Sequence, residues 1–385
     1  MPRPFFLIGL AVAVTACSEP EVITIVITPG NVALTVGGTQ QLTARLTDQE
    51  GKPVTGVSVT WTSANAAVAT VSASGLVMGV ETGATTVSAR AGGSSGSVPV
   101  SVTQSAFDIV LRALTSLTAA QQQAFDNARA RWRQLVVGDL PDVLLTAAPG
   151  TCGSNSPAVN EVIDDLVIFA TVEEIDGVGG TLGSAGPCYI RNAGGLPILG
   201  RMRLDADDLA QLQITGKLGE VILHEMGHVL GFGTLWTNFG YLKNPSLPSS
   251  PGVDTHFDGP RAIASFDAAG GTSYSGGAKV PVENSDGGEG TRDAHWRESV
   301  MDEELMTGFI ETVGSNPLSR VSIASLWDLG YEVNLAAADP YQKVFVAPPA
   351  ARPAGQGRIA LGDDIYRGPL YVVAAGGEVT RIIRR

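Results

Sequence analysis

From Val22 to Val102, apolar and polar residues alternate in short runs such as Gln41-Leu42-Thr43-Ala44-Arg45-Leu46 and Val57-Ser58-Val59-Thr60-Trp61, punctuated at Gly37-Gly38, Gly51-Lys52-Pro53 and Ser74-Gly75. A period of two with turns at this spacing predicts short strands, each burying one face, and hence an all-β sandwich. Gly92-Gly93-Ser94-Ser95-Gly96 interrupts the pattern, but Ser97-Val98-Pro99-Val100-Ser101-Val102 resumes it. The glycine run therefore reads as the last hairpin, with a domain boundary near Gln104. Beyond it the period changes. Phe107 to Leu114 reads as a strand, and Thr118 caps a helix to about Val137 with Phe125, Ala128, Trp132 and Leu135 on one face. Arg129, Arg131 and Arg133 fall on or beside the other face, as on a solvated surface. Leu166-Val167-Ile168-Phe169-Ala170-Thr171-Val172 is apolar almost throughout and predicts a central strand.

The most informative stretch follows. Lys217 to Leu230 reads as a buried helix with Thr215 as its N-cap, and carries His224-Glu225-Met226-Gly227-His228 before the exit Val229-Leu230-Gly231-Phe232-Gly233. Residues four apart lie nearly above one another on a helix, so His224 and His228 can grip one cation through their imidazoles. Glu225 sits one step round, where it can reach a water on that cation without becoming a ligand. The rival reading, a satisfied polar patch, fits poorly with so apolar a helix, where uncompensated polar groups are costly. Gly231 lets the chain leave the helix sharply. Upstream, Leu196 to Asp205 with Pro197 near its start suits an edge strand, and is the candidate to receive a substrate backbone as an added strand. Gly177-Val178-Gly179-Gly180 is no phosphate loop, because no Gly-Lys-Ser/Thr closes it and no helix opens from it.

Composition narrows the context. A chain of 385 residues with 44% hydrophobic content predicts two or more domains with real cores, and a net charge of −13 argues against nucleic acid as partner. Arg3, the apolar run Phe5 to Val14 and then Thr15-Ala16-Cys17 form a secretory signal too short to span a bilayer. Val14-Thr15-Ala16-Cys17 resembles a bacterial lipobox, which implies a lipid anchor on Cys17; Ser18, in place of an aspartate, favours the outer membrane or cell surface. Ordinary cleavage and release is the alternative. Export places Cys152 and Cys188 in an oxidising compartment, where a disulfide is the economical reading and ligation of a metal by one of them the rival.

A catalytic zinc needs a third protein ligand and an open position. The compact metzincin pattern has a histidine three residues after its glycine, but Thr234 stands there. With four histidines in all, the choice is between His256, in a Gly-, Ser- and Pro-rich insertion, and His295, which precedes Glu304-Leu305-Met306. The helix motif, the insertion, Ala294-His295-Trp296 and Glu304-Leu305-Met306 together resemble the leishmanolysin family of metzincin zinc metallopeptidases, over about Phe107 to Tyr341. Leu318 to Tyr331 is similar to the helix and turn that close that family's catalytic domain. The resemblance implies one zinc ion on His224, His228 and His295, Glu225 as general base, and Met306 as the turn methionine. Family members from protozoa carry many cysteines and often a cysteine-based latency switch, whereas this chain keeps two after Cys17. Val32 to Ala89, with Trp61-Thr62-Ser63, Val68-Ala69-Thr70-Val71 and Gly75-Leu76-Val77, resembles a bacterial Ig-like domain of group 2, for which a spacer role is the default.

The expected organisation is a signal peptide (1–16), a tether (17–21), the Ig-like sandwich (22–103), an α+β metzincin-type peptidase domain (104–339, insertion 235–294) and a β-like extension (340–385) with runs at Val344-Phe345-Val346 and Leu370-Tyr371-Val372-Val373. The expected activity is zinc-dependent endopeptidase on protein or peptide substrates. A silent surface adhesin and a zinc hydrolase of a non-protein envelope component are the alternatives. In the insertion, His256 is expected to be structural, and Asp254, Asp258, Glu283 and Asp286 to be solvated rather than calcium-binding, for want of EF-hand spacing.

Overall fold

The alternating stretch folds as short strands whose apolar positions turn inward. In the computed structural model, which describes residues 24–36, 38–103, 106–247, 250–342 and 357–385, the chain divides into two units, Met1–Gln104 and Ser105–Arg385. The first contains β1 (Thr24–Thr28), β2 (Val32–Thr35), β3 (Thr39–Gln41), β4 (Thr43–Thr47), β5 (Thr60–Ser63), β6 (Ala69–Val71), β7 (Leu76–Gly79), β8 (Gly83–Ala91) and β9 (Ser94–Thr103). They pair in the orders β2-β9-β8-β5, β3-β7-β6 and β1-β4. Ile27, Leu42, Val77, Val87, Val98 and Val100 fill the space between them. Gly92 and Gly93 turn the β8–β9 hairpin at φ 52° and 85°, the conformation that a two-residue turn matched to strand twist requires.

The second unit opens with β10 (Ile109–Ala113), α1 (Ala119–Leu135), β11 (Val143–Ala147), β12 (Val159–Ile163), β13 (Leu166–Glu173), β14 (Gly183–Arg191), β15 (Pro197–Asp205), α2 (Ala206–Ile214) and α3 (Leu218–Val229). Its main sheet runs β10-β13-β15-β14, then strands Leu370–Val373 and Val379–Ile383. Thr118 and Gln121 form a reciprocal capping box that starts α1. Trp132 on the apolar face of α1 donates its indole N–H to the Leu223 carbonyl of α3 at 2.9 Å, tying the two helices together.

The structure overturns several of the expectations. The strand from Pro197 is not an edge: β15 lies between β13 and β14, and proline is tolerated because it is the first residue of the strand. Thr215 does not cap the histidine helix; it ends α2, a short helix that Asp205 caps. α3 starts after Lys217, which makes no side-chain cap but bonds Glu220 Oε2 at 2.9 Å and the Gly314 carbonyl at 3.0 Å. Arg133 is buried rather than solvated, with its Nε 3.2 Å from Asp108 Oδ1, and Arg131 pairs with Asp339 at 2.7 Å. Residues 357–385 do not stand apart from the peptidase unit. They add strand Arg358–Ala360 to Phe309–Glu311, and Leu370–Val373 to the end of β14.

Cys152 and Cys188 form a disulfide, which leaves neither thiol for a metal. Cys17 with the rest of residues 1–23, and Val344-Phe345-Val346, lie outside the described residues. Among the described residues no helix is long and apolar enough to cross a membrane.

Candidate active site

Leu218, Val221, Ile222, Met226 and Val229 seat α3 in the core, and this packing fixes where His224 and His228 project. Their Nε2 atoms lie 2.8 Å apart. His295 reaches the same point from the far side of the insertion, its Nε2 at 3.2 Å from that of His224 and 3.0 Å from that of His228. All three rings are fully buried.

The second nitrogen of each ring settles its tautomer. Nδ1 of His224 faces the Leu305 carbonyl at 2.7 Å, Nδ1 of His228 the Phe232 carbonyl at 3.0 Å, and Nδ1 of His295 the Thr291 carbonyl at 2.8 Å. A carbonyl oxygen only accepts, so each Nδ1 carries the proton and each Nε2 turns a lone pair to the shared point. Burial holds His224 and His228 below the usual histidine pKa, which keeps them neutral donors.

A fourth donor arrives from a place with no sequence signal. Asp364 Oδ2 stands 3.0 Å from His295 Nε2, 3.4 Å from His224 Nε2 and 3.8 Å from His228 Nε2, and Asp364 is fully buried. Zinc bonds of ~2.0–2.2 Å at a tetrahedral angle put donors about 3.3 Å apart, and the six donor separations, 2.8–3.8 Å, bracket that value. Neither Asp364 oxygen has a hydrogen-bond partner. Three lone pairs and a carboxylate converging in the dry core repel one another unless a cation lies between them, so this donor set fits a divalent metal with nitrogen and oxygen ligands.

Glu225 completes the centre. Its side chain is wholly buried and both carboxylate oxygens lack a hydrogen-bond partner. Burial, and then the charge of Asp364, push it well above the ordinary glutamate range. β14 passes so close that a β-carbon at Gly183 would lie 3.0 Å from Glu225 Oε1.

The floor is built from the Glu304-Leu305-Met306 turn. Glu304 Oε2 accepts from the Met306 N–H at 2.6 Å, while Oε1 accepts from Ser319 N at 3.0 Å, Ser319 Oγ at 2.7 Å and Ser322 Oγ at 2.5 Å. That ties the turn to the start of helix Arg320–Leu329. Met306 then packs under α3 at Gly227, where a β-carbon would lie 2.8 Å from Met306 Cε. Gly233, at φ 70°, lets the chain after α3 pass the loop carrying His295; a β-carbon there would lie 2.1 Å from the Ala294 carbonyl oxygen.

His256 is not part of this centre. It lies in strand His256–Phe257 of the insertion, with Nδ1 at 2.6 Å from the Asp254 carbonyl. Asp254 pairs with Lys279 and Asp258 with Lys243. Glu283, expected to be solvated, is fully buried and accepts from the backbone of Asn284, Ser285, Asp286 and Glu298. Beside the histidines, a cleft of about 570 Å³ is bounded by Gly233, Thr234, Ala294, Ile365, Tyr366 and Arg385 among others.

Three imidazoles around one point, with a buried glutamate on the helix that carries two of them, are the parts of a metal-dependent hydrolase. Comparison with known proteins agrees. Residues 154–342 match the family model of leishmanolysin, and residues 21–104 that of the bacterial Ig-like domain, group 2. The chain thus joins a region that matches the bacterial Ig-like domain to one that matches leishmanolysin, a family of metallopeptidases.

Ice-binding protein 1 of Shewanella frigidimarina is 41% identical over 95 residues, 24% of this chain and 11% of that protein. The chain thus spans about a tenth of that curated relative. Among solved structures, domains 4 and 5 of the S-layer protein SbsC are 32% identical, covering 22% of this chain and 53% of that one at a TM-score of 0.20. The Yersinia pseudotuberculosis adhesin InvE is 30% identical, covering 21% and 26% at a TM-score of 0.15. Likenesses this partial say nothing about the activity of this chain.

Proposed function

We propose that the chain is a zinc-dependent endopeptidase that hydrolyses peptide bonds in proteins. The observation that carries the reading is the convergence of three Nε2 atoms within 2.8–3.2 Å of one another, each ring held by a carbonyl on its other nitrogen. His224, His228 and His295 would hold the ion. When bound, zinc supplies a Lewis acid that polarises the scissile carbonyl and acidifies water. Being neutral, the three imidazoles leave the ion its full charge. Glu225, with both oxygens unpartnered, accepts the proton of the attacking water and then returns it to the departing amine. Met306 and Leu305 act from beneath, by packing and by fixing the His224 ring.

Exported and lipid-anchored through Cys17, with the Ig-like unit as spacer, the peptidase would face proteins at the outer membrane or cell surface. Labelled palmitate that enters the chain equally well in Cys17→Ser would rule out that anchor.

The peptidase reading is tested by zinc content and casein cleavage of the purified protein. Wild type should carry about one zinc per chain. His295→Ala should lose most of it, His256→Ala none, and Glu225→Gln should keep zinc while losing ~10²–10⁴-fold in turnover. Zinc loss with His256, or cleavage that survives Glu225→Gln, would refute the assignment.

A further inference from the structure

We infer that Asp364 is a fourth metal ligand and that the run Leu361–Tyr366 occupies the substrate's place, so that this conformation is a latent form of the peptidase. The inference rests on the zinc-peptidase reading above.

The ligand count comes first. Catalytic zinc sites keep one position open for water or substrate, whereas sites with four protein ligands are closed. Asp364 Oδ2, at 3.0–3.8 Å from the three Nε2 atoms, closes this one. The carboxylate is fully buried and neither oxygen accepts a hydrogen bond. A bare carboxylate in a dry interior is strongly disfavoured, and the shared point between the imidazoles is where a cation would compensate it.

The backbone around Asp364 adds an independent observation. β14 is the strand that passes over Glu225, and strand Leu370–Val373 pairs only with its end, Tyr189–Arg191. Along the start of β14 the run Leu361–Tyr366 takes up the edge instead. Leu182 N–H donates to the Leu361 carbonyl at 3.1 Å, Ala185 N–H to the Asp364 carbonyl at 2.7 Å, and Tyr366 N–H to the Ala185 carbonyl at 2.9 Å. Ala185 and Ile365 form a parallel bridge. These are the backbone groups that an extended peptide would need in order to add itself to the sheet beside the metal. Ile365 and Tyr366 also help wall the neighbouring cleft.

Both ends of the run are anchored, by Arg358–Ala360 on Phe309–Glu311 and by Leu370–Val373 on β14. Asp364 is therefore presented as a tethered ligand at high effective concentration. Cys152 and Cys188, joined to each other, are not free to mask the metal in its stead. To open the site, Asp364 must leave the metal and the three backbone bonds to Leu182 and Ala185 must break.

The test uses the full mature chain loaded with Co²⁺ in place of zinc. Acetohydroxamic acid, a small chelator that needs the open position, is titrated while the visible cobalt bands are followed. Asp364→Ala and the near-isosteric Asp364→Asn should keep cobalt on three histidines and bind the hydroxamate ~10–100-fold more tightly than wild type, as expected once a tethered competitor is removed. Tyr366→Pro, which keeps the aspartate but removes one backbone donor to β14, should move the affinity the same way. Casein cleavage should rise in parallel. Equal hydroxamate affinity in wild type and all three variants would overturn the inference. So would loss of cobalt from Asp364→Asn, because Asp364 would then be a permanent ligand. Failure of wild type to bind cobalt at all would instead overturn the zinc reading, and this inference with it.

Discussion

Glu304→Gln puts the floor of the site to a quantitative test. The side chain is fully buried and accepts four hydrogen bonds, three on Oε1 and one on Oε2. A glutamine of the same shape must turn its NH₂ towards one set of donors. The cheaper choice faces the single Met306 N–H. That loses one charge-assisted bond, worth ~1.5–3 kcal/mol, and leaves a buried N–H without an acceptor at a further ~1–3 kcal/mol. Burial, which holds Glu304 above the usual glutamate pKa, works the other way, since the amide carries no charge to desolvate. The net loss should be about 2–4 kcal/mol, which a domain of ordinary stability survives. Function should be touched too, because the Leu305 carbonyl that orients His224 belongs to the same turn. Loss of such an orienting contact lowers metal affinity by ~10–100-fold. Urea unfolding of the metal-free protein and chelator competition for zinc read the two effects separately. If Glu304→Gln leaves both unchanged, the turn does not depend on this carboxylate and the account of the floor is wrong.

Two further outcomes follow from groups away from the metal. Cys152 and Cys188 close a loop of sequence separation 36, so replacing both with serine should cost about 4 kcal/mol by the chain-entropy relation, while zinc binding persists in the folded fraction; an unchanged urea midpoint would refute it. Asp165, buried and accepting from Asp108 N and Leu140 N, has its pKa raised to about 6 by burial. The folded state then holds this proton more tightly than the unfolded chain, so the contribution to stability is greatest below about pH 4 and falls as pH rises to about 6, by at most ~3 kcal/mol. The stability of wild type relative to Asp165→Asn should fall across that window, and a pH-independent difference would contradict the burial argument.

Local pattern determined a good deal on its own. The i, i+4 spacing of His224 and His228 is close to one helix turn, and the apolar residues around it fix which way the pair faces. Alternation in Val22–Val102 specified strands, and the glycines at 92 and 93 their last turn, because period and backbone freedom are properties of adjacent residues. The link from His295 and Met306 to the helix came only through family resemblance, since nothing local couples them. Sheet order was another matter. Pro197 is compatible with an edge and with the first residue of an interior strand, and only the pairing of β15 with both β13 and β14 decided between them. Arg133 looked solvated because helix periodicity cannot see Asp108 arriving from another element. Asp364 lies in a segment without a motif, and its approach to three histidines depends on β14 offering an edge for Leu361–Tyr366 to pair with. Sequence thus set what neighbouring residues can do for one another. Tertiary structure decided which distant groups share a buried point, because burial in a low-dielectric interior makes their interactions strong, and chain topology alone brings them there.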